Sequence, residues 1–216
     1  MRNFIKTLFS AILAGILISI GGTIFLTTKN ISVIMGGFLF AFGLFIIITL
    51  KLNLFTGKIG YVLCNKSNYV IDLLIILFGN AIGAILMGYL LRFMCLNSSL
   101  AIQQIVNNVA ENKLSLPLHT SFILSILCGM LIFIAVEVSK REVSSLVKVL
   151  AIFLSVAIFV IAGFEHCIAN MFYFSFANAW SIKAVYYLII MILGNSLGSI
   201  IIYLILRLAE GKKVKE

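Results

Sequence analysis

Gly163-Phe164-Glu165-His166-Cys167, set inside an apolar run and followed by Gly194-Asn195-Ser196-Leu197-Gly198, decides how this chain folds. Residues 156–162 before the quintet and 167–176 after it are apolar, so a surface loop fits the position poorly. The arrangement also stands about 115 residues earlier: Lys51-Leu52-Asn53-Leu54-Phe55-Thr56-Gly57 interrupts one apolar run, and Gly79-Asn80-Ala81-Ile82-Gly83 lies in the next. In a membrane protein, interrupted helices at matching positions of two halves point to a transport pathway at the midplane. The first break also admits an ordinary loop, with Lys51, Asn53 and Lys58 among lipid headgroups.

Membrane residence follows from composition. Of 216 residues 62% are apolar and 11% charged, and the mean hydropathy is +1.20; a soluble core does not need that much apolar surface. Six stretches, near 7–28, 31–50, 70–91, 118–138, 146–176 and 184–208, approach or exceed the roughly 20 residues that span hydrocarbon. A single transmembrane domain over 1–216 is expected, with halves of about 1–95 and 113–216. The longest hydrophilic connection, 96–116, is rich in Asn, Gln and Ser. The first span follows Arg2 and Lys6 and lacks a small-residue cleavage site, so it reads as a retained helix.

The formal charge of +9 reads as topology and not as a nucleic-acid surface. With six spans, one side carries Arg2, Lys6, Lys58, Lys66, Lys140, Arg141, Lys148, Arg207, Lys212, Lys213 and Lys215. The other carries Lys29, Arg92, Lys113 and Lys183. Eleven against four places both termini in the cytoplasm and the chain in the inner membrane. Cys64, Cys95, Cys128 and Cys167 lack CxxC spacing and read as small hydrophobes; no disulfide framework, metal site or cofactor is indicated.

Three spans per half is an odd number, so similar halves must be inverted in the membrane. Gly15 and Ser19, Gly79 and Gly83, and Gly194 and Gly198 are each four apart, which puts each pair on one helix face for close contact in lipid. Asn80 and Asn195 need partners inside the bilayer, and the freed backbone of a broken helix could supply them.

His166 is the sharpest single residue. An ionisable group in an apolar segment is a functional hypothesis by default, and imidazole exchanges a proton near neutral pH; a neutral ring satisfied by a hydroxyl or carbonyl is the other reading. Glu165 is expected to pair with backbone N–H groups or Asn170. Lys113, just before the fourth span, reads either as an attractor of anions or as a solvated loop lysine. Enzyme signatures such as GxSxG, HExxH or a phosphate-binding glycine loop are absent, and an enzyme is not expected.

Residues Gly163-Phe-Glu-His-Cys-Ile-Ala-Asn-Met171 resemble the signature of the formate/nitrite transporter family. Leu54-Phe-Thr-Gly57, Ile126-Leu-Cys128 and Gly194-Asn195 follow in the family's order. The resemblance implies an all-α, aquaporin-like protomer of six transmembrane helices in an inverted 3+3 repeat, the second and fifth broken, assembled as a homopentamer with one pore per protomer. It implies Phe55 and Thr56 on the first break and His166 on the second. Phe40 and Leu44 would form an apolar constriction on one side of the histidine, with Phe159 on the other. Lys113 and Asn195 match the family's lysine near the fourth span and pore-facing asparagine of the sixth. Family members that carry formate commonly read Leu-Cys-Asn where this chain has Leu127-Cys128-Gly129, and the short termini and compact loops look more like the hydrosulfide branch.

The implied function is a channel for small monovalent anions of weak acids: formate, nitrite or hydrosulfide. A bare anion crossing apolar constrictions faces a severe desolvation cost, which a proton delivered through His166 would relieve. Substrate-pathway residues are then His166, Thr56, Phe55, Lys113, Asn195 and Glu165. The competing readings are a non-transporting anchor or assembly subunit, and an aquaporin-like pore for neutral solutes. That last fold normally carries Asn-Pro-Ala, whereas the chain's one proline is Pro117.

Overall fold

The computed structural model describes residues 2–96 and 100–211; Lys212, Lys213 and Lys215 of the charge count lie outside them. Four long apolar helices form the frame: α1 (Arg2–Thr28), α4 (Asn68–Leu96), α6 (Leu118–Lys140) and α9 (Ile182–Ala209). Each is long and apolar enough to cross a membrane. Between them lie two interrupted units. In the first, α2 (Val33–Thr49) stops and the short α3 (Phe55–Lys58) runs on into a 3-10 helix, Ile59–Cys64. In the second, α7 (Ser145–Ile161) stops and α8 (Cys167–Ala177) resumes. Outward faces stay apolar, as at Phe9, Phe78, Phe93 and Leu146, while Thr56, Asn80, Asn170 and Asn195 are buried. That inverts the pattern of a soluble protein and marks an integral membrane protein.

Both interruptions end their first helix in the same way. Lys51 N–H donates to Ile48 C=O and Leu52 N–H to Ile47 C=O, with Lys51 in the left-handed region at φ 55. Gly163 N–H donates to Val160 C=O and Phe164 N–H to Phe159 C=O, with Gly163 at φ 70. These are two Schellman turns, which satisfy carbonyls a helix end would leave orphaned. Glycine is the ordinary occupant, and lysine in the first copy is unusual.

The long helices pack in matching pairs: α4 packs on α1 as α9 packs on α6, and α2 on α1 as α7 on α6. A methyl built on Gly83 would lie 2.1 Å from the Ile12 carbonyl oxygen, and one on Gly198 2.0 Å from that of Ile126. Gly15 and Gly129 would each meet a carbonyl at 2.2 Å, of Asn80 and Asn195 respectively. Position 129 is therefore a seam where α6 and α9 touch backbone to backbone. An asparagine there needs wider helix spacing than this chain has. Gly129→Asn is expected to destabilise the protein by about 3 kcal/mol through overpacking, read as a lower melting temperature in detergent. A variant that melts with the wild type would show that the seam can open.

The polar stretch 96–116 contains a helix, α5 (Leu100–Ser115). Its apolar residues Ile102, Ile105, Val106, Val109 and Ala110 recur at helical spacing, and Val106 and Ala110 are fully buried. That stripe is the signal of an amphipathic helix, diluted by the Asn and Gln residues on its other face. The helix packs mainly on α8 and carries Lys113 in its last turn.

Candidate functional site

The two asparagines hold the breaks. Asn80 Oδ1 accepts from Phe55 N–H at 2.8 Å, and its Nδ2 donates to the carbonyls of Ala11 (2.8 Å) and Asn53 (2.9 Å). Asn195 Oδ1 accepts from Cys167 N–H at 2.9 Å, and its Nδ2 donates to the carbonyls of Ser125 and Glu165, both at 2.8 Å. Each amide thus ties together the residue opening the second half-helix, the break two residues earlier and the neighbouring long helix. Unpaired, such groups cost several kcal/mol each in lipid. Asn195 borders neither cavity described below, and Phe55 packs into the core behind its N–H bond. The side-chain amide of Asn195 and the backbone N–H of Phe55 are occupied by these bonds.

Leu54 and His166 occupy equivalent positions, each the residue capping the resumed helix. His166 Nδ1 accepts from Ala169 N–H at 3.3 Å, so the proton of the neutral ring sits on Nε2, 3.0 Å from Thr56 Oγ1. A second proton on Nδ1 would set two donors face to face. The pair joins residues 110 apart in sequence and is sealed, with Thr56 at 0% and His166 at 2% exposure. Ser199 Oγ lies 3.2 Å from the Thr56 carbonyl, which fixes the first break against α9.

Aromatic rings cover the histidine on one side. Phe159 lies 5.9 Å from the imidazole, and Phe40 meets Phe159 edge-on at 5.7 Å. Phe40 therefore belongs with Phe159, and Leu44 stands on the opposite side. That corrects the expected grouping of Phe40 with Leu44. Four residues of helix advance about 6 Å, enough to carry Leu44 past the ring layer.

A cavity opens on each side of this layer. One, of about 280 Å³, is bordered by Phe40, Phe159, His166, Glu165, Lys29 and Lys113 among others. The other, of about 490 Å³, is bordered by Leu44, Leu54, Lys51, Lys58 and Lys140 among others, and lies toward the start of α1 and the ends of α6 and α9.

Lys113 is no free cation. Its Nζ lies 2.7 Å from Glu165 Oε2, which also accepts from Asn170 Nδ2 at 2.7 Å. The pairing of Glu165 with Asn170 matches expectation; the lysine joins from α5, 52 residues away. Lys29, just beyond the end of α1, has no carboxylate partner among the described residues. Partial burial, then the Lys113 charge, hold its ammonium below the usual lysine pKa. Asn170 Oδ1 is buried without a partner beside Glu165. No group of metal-binding side chains occurs among the described residues.

A family model described as formate/nitrite transporter matches residues 1–209. The chain belongs to the formate/nitrite transporter family. The chain is 30% identical to formate channel FocA of Escherichia coli K12 over 189 residues, 79% of this chain and 66% of that protein. Formate channel FocB of the same strain is 26% identical, over 82% of this chain and 68% of FocB. The formate-nitrite transporter of Plasmodium falciparum is 27% identical, over 80% and 62%. The chain thus spans about two thirds of the length of these relatives. Its fold is that of two solved family structures. A pentameric formate channel with formate bound superposes with a TM-score of 0.79 at 22% identity, over 97% of this chain and 96% of the other. An FNT family ion channel superposes at 0.85 and 23%, over 96% and 91%.

Proposed function

We propose that this family member is a channel for small monovalent anions of weak acids, with formate, nitrite and hydrosulfide as its substrate class. The observation that carries the reading is the sealed, uncharged Thr56–His166 contact between two lysine-bearing cavities. A bare anion at that layer would exchange hydration for phenyl and leucyl side chains, at a cost no single hydroxyl offsets. A neutral acid avoids most of that cost. Lys29 supplies the uncompensated positive charge of the Lys29/Lys113 cavity, while Lys113 and Glu165 hold the second break in place. At the layer, the Nε2 proton of His166 passes by way of Thr56 Oγ1 to the anion and is replaced at Nε2 by a proton from the aqueous cavity, so Nδ1 keeps its bond to Ala169 N–H and the ring keeps no lasting charge. The neutral acid then passes Phe40, Phe159 and Leu44.

The surrounding architecture in this reading is six crossings in an inverted 3+3 repeat, with the breaks at the midplane. The lysine asymmetry supports cytoplasmic termini in the inner membrane, and the pentameric formate channel of the same fold supports a homopentamer.

Flux into liposomes of formate, nitrite, hydrosulfide, acetate, lactate and chloride tests it. The expected result is uptake of the first three, rising as external pH falls, with chloride excluded. Chloride passing as fast as formate, or no flux above protein-free vesicles, would overturn the reading.

A further inference from the structure

The cavity on the side of the termini carries more charge than a monovalent permeant needs. Lys51, Lys58 and Lys140 stand in its walls with no carboxylate among them. None of the three forms an ion pair among the described residues. Lys140 Nζ lies 3.7 Å above the centre of the Tyr61 ring, a cation–π contact that holds it in place. Lys58 is close enough to Lys140 for the two charges to repel. The acid that acts on Lys140, Glu137, is outside the walls and is already bound by Tyr61 Oη at 2.7 Å and by Arg141.

Lys51 adds an independent observation. It sits at φ 55 in the turn where its counterpart in the second half is Gly163. A lysine held where glycine is the natural occupant is backbone strain retained, and retained strain points to use. Apart from Ser139 the rest of the lining is apolar, Leu44, Leu54 and Val136 included. At about 490 Å³ it is roomier than the cavity on the other side, at about 280 Å³.

We propose that this cavity is a binding site for a phosphate-bearing anion, free or on a lipid headgroup, whose occupancy blocks the pathway from the side of the termini. Three lysines bordering one space, Lys140 with its ammonium resting on the Tyr61 ring at the edge shared with the neighbouring pocket, suit an oxyanion of two or more charges, each contact being a charge-assisted hydrogen bond. Such a ligand is too highly charged to pass the Leu44 layer, so it stays where it binds. The blocking half rests on the channel reading; the binding half does not.

Calorimetric titration of the full chain in neutral detergent with pyrophosphate tests the site directly. Saturable binding is expected, weakened about tenfold in Lys51→Gly and in Lys58→Gln. Lys51→Gly is informative because glycine suits that turn: its melting temperature should hold or rise while affinity falls. No saturable binding, or unchanged affinity in both variants, would overturn the site. Phosphatidic acid, a phosphomonoester lipid, in the micelles distinguishes the sources: competition with pyrophosphate assigns the site to a lipid headgroup, and absence of competition assigns it to a free anion. In phosphatidylcholine liposomes, pyrophosphate should inhibit formate flux from one face alone, and that inhibition should weaken in Lys51→Gly. Equal inhibition from both faces, or none despite binding, overturns the block. Formate flux without pyrophosphate reports separately on the channel reading.

Discussion

Asn195→Leu is expected to leave almost no folded protein, although the substitution is apolar and sits in an apolar helix. The amide satisfies Cys167 N–H and the carbonyls of Ser125 and Glu165, all within the second break. Removing it orphans the Cys167 donor and the Glu165 acceptor where water does not reach, and strips a second partner from the Ser125 carbonyl, which stays bonded inside α6. At 1–3 kcal/mol per group the loss sums to about 4 kcal/mol, a large share of the whole stability of many domains. Asn195→Asp separates shape from chemistry. It keeps an acceptor for Cys167 N–H but turns an oxygen toward two carbonyls, so it should fail nearly as badly. Asn80→Leu should behave alike, because Asn80 serves Phe55, Ala11 and Asn53 in the same way. The measurement is the fraction of monodisperse protein after solubilisation, with its melting temperature. An Asn195→Leu protein that is monodisperse and melts within a few degrees of wild type would mean that the amide is dispensable to the break.

That prediction was within reach of the sequence, because an asparagine flanked by glycines in a lipid-spanning run must find partners and the only unpaired backbone nearby belongs to a break. The breaks announced themselves through Gly163-Phe-Glu-His and Lys51-Leu-Asn, and the glycine seams through their four-residue spacing. Side-chain pairing across the halves was less legible. Nothing local to Lys113 signals Glu165, since the pair depends on α5 folding back over α8. Helix α5 itself was masked by its polar face. The grouping of Phe40 with Phe159 could not be read from spacing, because Phe40 and Leu44 share a face of α2 and only the position of the histidine layer separates them. Gly129 is similar: as a residue type it suggests a lost amide, and only the contact with the Asn195 carbonyl reveals it as a place where two backbones meet.

His166→Phe should abolish proton-linked anion uptake, and His166→Asn should retain a pore whose flux no longer follows the wild-type pH dependence. The ring does two jobs that these variants separate. Its Nδ1 caps α8 by accepting from Ala169 N–H, and its Nε2 proton faces Thr56 Oγ1. Phenylalanine removes both, losing about 1 kcal/mol of capping, which the remaining contacts of α8 can absorb. Asparagine is among the favoured caps and can still offer an N–H toward Thr56, but it cannot exchange a proton at neutral pH. A relay therefore predicts that the asparagine variant folds, passes whatever arrives already neutral, and loses the part of the flux that depends on protonation at the layer. A purely structural histidine predicts the reverse: stability falls with the cap, and the surviving protein keeps the wild-type profile. Flux measured from about pH 5 to about pH 8, the range in which imidazole titrates, decides between them on well-folded protein. Wild-type pH behaviour in His166→Asn would remove the proton relay from the mechanism and leave His166 as the cap of α8.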